Sequence, residues 1–162
     1  MNCHNCGAPL AWTPGASVLN CGFCGSYRPL TVADELADRV SRLGSAAERS
    51  CPACGHALEQ AAVDRTPVEA CPHCHGLLFA DEAFALVVRD RRANYRGAEA
   101  RPIPVDAARL AGHHHCPDCD RVMDRHCYGG PGNQILDTCS PCGLVWLDSG
   151  ELAAIEAAPG RR

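Results

Sequence analysis

The sequence predicts a small, metal-stabilised α+β protein of three tandem units, each a short antiparallel β-ribbon followed by a helix. The first observation is that 13 of the 162 residues are cysteine, and twelve of these form six Cys-x-x-Cys pairs. The second is an aromatic content of only 5%. Because aromatic side chains supply much of the area that a core buries, small units held by metal are favoured over one large core.

The six pairs combine into three double pairs, which we number as sites 1 to 3. Their spacers are 14, 16 and 19 residues long, and a double pair of this kind is a zinc signature. We therefore expect three Zn²⁺ per chain, and four thiolates close each tetrahedral shell, which predicts structural sites and no enzyme. Iron in a rubredoxin-like site is an alternative with the same ligands. The predicted ligands are Cys3, Cys6, Cys21 and Cys24; Cys51, Cys54, Cys71 and Cys74; Cys116, Cys119, Cys139 and Cys142.

Turn residues divide each spacer into two short strands, as in a β-hairpin. Helical patterns follow over 31–43 and from Asp81 to about Tyr95, and the third helix begins at the capping box Asp148-Ser149-Gly150-Glu151. The predicted organisation is ribbon 1 with its helix at 1–43, a linker at 44–50, ribbon 2 with its helix at 51–96, a linker at 97–113, and ribbon 3 with a C-terminal helix at 114–162.

Ribbon 3 carries a family motif. Its Cys-Pro-x-Cys pair at 116–119 is followed by Cys-Ser-Pro-Cys-Gly-Leu-Val-Trp-Leu-Asp-Ser-Gly-Glu-Leu at 139–152. This segment resembles the zinc-ribbon family named after transcription factor IIB, with Leu144 replacing the second glycine of the motif. Ribbon 2 is similar but weaker, with Leu78 at the position of Trp146, and ribbon 1 matches only as a generic zinc ribbon. The resemblance implies zinc binding and a small β-ribbon fold, and it implies no reaction.

The charge of the chain bears on its partners. The net charge is −4, and each site of four thiolates and one Zn²⁺ adds −2, so the loaded protein carries about −10. That balance disfavours nucleic acid, which attracts basic proteins. No apolar run reaches the roughly 18–20 residues that cross a membrane, and the first six residues lack the features of a signal peptide. We therefore expect a cytoplasmic protein, where thiols stay reduced.

These features give three hypotheses for the function. The first is a zinc-binding adaptor that recognises a protein partner. The second is a nucleic-acid-binding or transcription-related factor, since Arg89, Arg92 and Arg96 share one helical face. The third is a redox-responsive or metal-responsive zinc protein, because thiolates oxidise readily.

Three further features each allow two interpretations. Residues 71–75 spell the c-type haem motif C-x-x-C-H, but this pair already has Cys51 and Cys54 as partners and no export signal is expected. His113, His114 and His115 form either an auxiliary metal tract or a solvated linker, and we favour the linker. Cys127, the thirteenth cysteine, is interpreted as a small buried residue rather than a redox sensor.

Overall fold

The computed structural model describes residues 3, 5–8, 10–12, 18–29, 38–101, 104–105, 107–128 and 133–160. They form two antiparallel sheets, one of three strands in ribbon 1 and one of seven strands that ribbons 2 and 3 share. None of the described helices has the length and apolar character to cross a bilayer. The elements are β1 (Leu10–Trp12), β2 (Val18–Cys21), β3 (Tyr27–Pro29), β4 (Val40–Ser50), β5 (Ala57–Val63), β6 (Thr66–Ala70), β7 (Leu77–Ala80), α1 (Asp81–Asn94), α2 (Ala107–Leu110), β8 (Asp124–Cys127), β9 (Ile135–Cys139), β10 (Leu144–Leu147) and α3 (Glu151–Ala157).

Each ribbon has three strands where the sequence predicts two. The additional strand follows the second cysteine pair in every unit: β3 in ribbon 1, β7 in ribbon 2 and β10 in ribbon 3. In ribbon 2, the two predicted strands meet at a two-residue turn in which Asp64 and Arg65 both have positive φ, 48° and 71°. That geometry is the one that a tight hairpin requires. In ribbon 1, the middle of the spacer at residues 13–17, where the turn is predicted, lies outside the described residues.

Ribbons 2 and 3 join edge to edge through their third strands. Strands β7 and β10 pair antiparallel, with Leu78 opposite Trp146. These two residues occupy matching positions in the two ribbons, so the junction has an approximate two-fold relation between the repeats. The strand order of the shared sheet is β4-β5-β6-β7-β10-β9-β8.

The segment before site 2 differs from the prediction. The helix expected over 31–43 and the linker expected at 44–50 are wrong for residues 40–50, which form the edge strand β4 paired with β5. Residues 31–37 lie outside the described residues. Val40 and Leu43 have helical spacing, but both are buried in the strand. The pairing of β4 with β5 shifts register between Arg42 and Ala46, and Gly44, inside this shift, has a φ of 71°. A β-bulge therefore interrupts the regular pairing of β4 at this point.

The helix of ribbon 2 begins at the predicted residue, whereas the helix of ribbon 3 has Gly150 at its N-cap and so begins two residues later than a capping box at Asp148 would place it. Helix α1 starts at Asp81, and α3 starts at Glu151. One half of the predicted capping box forms, because the backbone N–H of Asp148 donates to the Glu151 carboxylate at 2.9 Å. The Asp148 carboxylate instead accepts from the indole N–H of Trp146 at 3.1 Å. The predicted linker at 97–113 contains the short helix α2.

The shared sheet has a different layer on each face. One face packs against α1 and α3 in an apolar core that includes Phe79, Val145, Leu147 and Ile155. On the opposite face a second buried cluster gathers Trp146 with cysteines of sites 2 and 3. The sheet therefore separates a helical layer from a layer that contains both cysteine sites.

Candidate metal centres

The structure brings the twelve paired cysteines together in three groups of four, the same groups that the spacing predicts. The sulfur atoms of Cys51 and Cys74 lie 3.5 Å apart, and those of Cys54 and Cys71 lie 3.4 Å apart. Sites 1 and 3 give separations of 3.5 to 3.7 Å. A tetrahedral ion with Zn–S bonds of about 2.3 Å sets its sulfurs about 3.8 Å apart, so all three groups fit zinc.

Six tight turns, two per site, aim the thiols inward. In every turn the residue after the second cysteine has positive φ, between 57° and 75°. Glycine takes this conformation without strain, and glycine fills four of the six positions. Ribbons 2 and 3 place His75 and Asp120 at the other two. In five of the turns, the N–H of this residue donates to the carbonyl of the first cysteine at 2.9 to 3.1 Å.

Each site contains one thiol whose pKa lies near neutrality in the absence of metal. In site 1, hydrogen bonds from the Ser26 hydroxyl and backbone N–H lower the pKa of Cys24 to about 6. In site 2, burial acts to raise the pKa of Cys71, but backbone N–H groups lower it to about 7. In site 3, the backbone N–H of Arg121 lowers the pKa of Cys119 to about 7. Each site therefore offers one thiolate to an incoming ion at neutral pH.

The three sites differ in how well the protein covers them. In site 1, Cys6 and Cys24 are exposed, and in site 3 Cys119 is exposed. In site 2 every cysteine is buried or half-buried. Arg42 contributes to this cover, because its guanidinium donates to the Cys71 carbonyl at 3.1 Å and lies 2.9 Å from the His75 ring nitrogen Nδ1. Site 2 is accordingly the most protected of the three.

A comparison with protein families finds a match in ribbon 2. The family model described as "Transcription factor zinc-finger" matches residues 50–84. Residues 50–84 are a zinc ribbon of the transcription-factor-IIB type. The match covers site 2, β5 to β7 and the start of α1, whereas the motif in the sequence is most complete in ribbon 3. No curated protein and no solved structure matches the chain. Together with the three clusters of four cysteines, the match establishes a zinc-binding protein with three Zn²⁺ sites.

Two of the three arginines of α1, Arg91 and Arg92, make contacts within the protein rather than forming part of an open cationic stripe. The Arg92 guanidinium donates to the carbonyls of Ile155 and Ala158 at 2.7 and 3.2 Å, at the C-terminal end of α3. Arg91 is buried and pairs with Asp64. Arg89 is exposed and pairs with its neighbour Asp90. The arginine stripe that the second hypothesis requires thus lacks Arg92, its central member, which packs against α3.

The histidine tract lies next to site 3 in the sequence, but neither it nor the thirteenth cysteine joins a metal cluster among the described residues. His114 is half-buried, with Nδ1 3.0 Å from a carboxylate oxygen of Asp137, and His115 Nδ1 lies 2.9 Å from the Asp120 carbonyl. Cys127 is half-buried at the end of the edge strand β8. Within the described residues neither the tract nor Cys127 belongs to a group of metal-type ligands.

Sequence reasoning did not single out His56 and His73. His56 follows the Cys51–Cys54 turn by two residues, and His73 lies inside the Cys71–Cys74 turn. The sequence does contain a signal for this contact. The two cysteine turns of one zinc site lie side by side, so a histidine near one pair can contact a histidine near the other. The structure brings the two rings together beside site 2.

Proposed function

We propose that this protein is a non-enzymatic, cytoplasmic adaptor whose zinc ions hold ribbons that bind a protein partner. Closed four-thiolate shells support it, because a catalytic zinc needs an open coordination position. The acidic charge of the loaded chain and the internal use of Arg91 and Arg92 weigh against nucleic acid.

The observation that carries the proposal is an exposed aromatic pair in ribbon 1. Phe23 lies within the Cys21–Cys24 turn with 89% of its surface exposed, and Tyr27 at the start of β3 is 70% exposed. Aromatic side chains are enriched at the energetic centres of protein interfaces. In a chain with so few aromatic residues, two on the outer surface of one small ribbon support the proposal that this ribbon is the contact surface.

Site-specific photocrosslinking tests the proposal in cells. A photoreactive benzoylphenylalanine in place of Phe23 should give covalent protein adducts of defined mass, identified by mass spectrometry. The matched control carries the same group in place of Val122, an apolar residue of ribbon 3 that is 54% exposed. The Tyr27→Ala substitution should weaken the adducts from position 23, because it removes part of the same surface.

Two results would contradict the adaptor role. Equal adducts from positions 23 and 122 would indicate random collision rather than a binding surface. Adducts that disappear on nuclease treatment would identify nucleic acid as the partner and favour the second hypothesis.

One observation favours redox-responsive zinc release as a second candidate function. Two ligands of site 1, Cys6 and Cys24, are exposed, and a bound Zn²⁺ keeps both as thiolates. Exposed thiolates are the form that peroxide attacks. Zinc release on mild oxidation tests this candidate.

A further inference from the structure

Two histidine rings stack against each other on the outer side of site 2. The ring centroids of His56 and His73 are 4.2 Å apart, with only 4° between the ring planes. Both side chains are exposed, and each comes from a different cysteine turn of the same site. One ring nitrogen of each histidine and the sulfur of Cys54 all lie within 4.8 Å of one another. Three potential ligands for a transition metal therefore converge at one surface position.

The charge at this position favours a cation. Four thiolates around one Zn²⁺ leave site 2 with a formal charge of −2, immediately beside the two imidazoles. Nδ1 of His56 lies 3.3 Å from the Cys54 carbonyl oxygen, a contact that places a proton on Nδ1. The lone pair of this ring is then on Nε2, the nitrogen left to bind a metal.

We propose that His56 and His73 form an auxiliary site for a divalent transition-metal ion such as Zn²⁺, with the Cys54 thiolate shared between this ion and the zinc of site 2. Imidazole and thiolate are the ligands that Zn²⁺ prefers. The stacked rings hold their lone pairs in parallel planes, so one ring turns about its side-chain torsions to reach a common ion. Both rings are exposed, and water completes the coordination shell.

Other histidines near the sites are engaged elsewhere. The Nδ1 atom of His75 contacts Arg42, and that of His114 contacts Asp137. In the described part of the chain, this is the one group of metal-type ligands besides the three four-cysteine sites. The proposal is independent of the adaptor role and requires only that site 2 holds its zinc.

Metal counting on the intact protein tests the site. Purified protein is dialysed to equilibrium against buffered Zn²⁺, and zinc per chain is measured by mass spectrometry of the metal. We expect four Zn²⁺ in the wild type and three in the variant carrying His56→Gln and His73→Gln. Each single substitution should weaken the fourth site at least about tenfold, since even the loss of a residue that supports a metal ligand costs that much.

The matched control is His126→Gln. His126 is also exposed, and its Nδ1 also lies 3.3 Å from the carbonyl two residues earlier, that of Asp124. It should keep all four ions. Three Zn²⁺ in the wild type, or four in the double variant, would overturn the proposal, the second result because the fourth ion then binds elsewhere.

A spectroscopic arm covers the case in which the double variant drops below three Zn²⁺ because site 2 itself is damaged. Ring ¹⁵N resonances of the wild type are recorded as the fourth equivalent of Zn²⁺ is added. A shift confined to one nitrogen in each of His56 and His73 supports the site. Unchanged resonances of these two rings overturn it.

Discussion

Substituting Gly76 tests the junction between ribbons 2 and 3 most directly. Gly76 is buried between site 2 and β7, directly against the indole of Trp146. A Cβ atom added here would overlap Cζ2 of Trp146, and it would lie 2.6 Å from Cη2 and 2.9 Å from the Leu147 carbonyl oxygen. Because Trp146 is fully buried, it has no free space into which it can retreat. The Gly76→Ala substitution therefore forces two ribbons apart at their shared strands.

The expected loss of stability can be worked from these contacts. Overpacking a filled core costs about 1–3 kcal/mol. Gly76 does not have positive φ, so alanine adds no backbone strain and instead returns about 0.4–1 kcal/mol by restricting the unfolded chain. We expect a net loss of about 1–2 kcal/mol in the free energy of unfolding.

The assay is urea unfolding followed by circular dichroism at a fixed, buffered concentration of free Zn²⁺, because bound metal contributes to the measured stability. The control is Gly22→Ala in ribbon 1, where an added Cβ has no neighbour within 4 Å and φ is not positive. In a Trp146→Leu background the cost of Gly76→Ala should shrink, because the overlapping ring is gone. Equal effects of Gly76→Ala and Gly22→Ala, or strict additivity with Trp146→Leu, would refute the junction.

Three further predictions follow from the sites and the helix contacts. Mild peroxide should release zinc from site 1 first, since two of its ligands, Cys6 and Cys24, are exposed, whereas site 2 has no exposed cysteine; alkylation mass spectrometry checks this, and earlier modification of site 2 would contradict it. Burial raises the pKa of Glu151 to about 7, so the folded state holds its proton more tightly than the unfolded state, and wild-type stability falls as pH rises from about 4.5 to 7. The stability of Glu151→Gln relative to wild type should therefore increase by about 2 kcal/mol between pH 5.5 and pH 8 in urea unfolding, and a constant difference would argue against this cause. The buried Asp38 carboxylate accepts from the N–H groups of Gly150 and Ala153 at 2.7 and 2.9 Å, so Asp38→Ala should cost about 1–2 kcal/mol in the same assay, and a loss below a few tenths would show that this cap is not needed.

The metal ligands could be predicted from the sequence because cysteine spacing is a local signal. A Cys-x-x-Cys turn fixes two ligands within four residues, and a hairpin of 14 to 19 residues brings the second pair alongside. The third strand of each ribbon was not predicted, because no local sequence signal identifies it. All four residues of β10 and three of the four in β7 are buried, so these strands lack the alternation that identifies a half-exposed strand.

Strand β4 and the joining of the ribbons depend on distant partners. The spacing of Val40 and Leu43 fits a helix better than a regular strand, and pairing with β5 decides the outcome. The β7–β10 junction pairs Leu77 with Leu147 across the chain, and no local pattern indicates which strand edges will meet. Tertiary contacts therefore determine the conformation of residues 40–50 and the pairing of β7 with β10, which the periodicity of the sequence does not specify.

The third strands explain why two ribbons merge and ribbon 1 forms its own sheet. Strands β7 and β10 are apolar throughout, and each can offer its backbone N–H groups to the other. The equivalent strand β3 reads Tyr-Arg-Pro, and Pro29 has no N–H to donate. In the described part of the chain β3 is an edge strand, and its first residue, Tyr27, is exposed. The same short segment that joins two repeats in the seven-stranded sheet thus forms an edge strand in the described part of ribbon 1, and the aromatic surface there stays exposed.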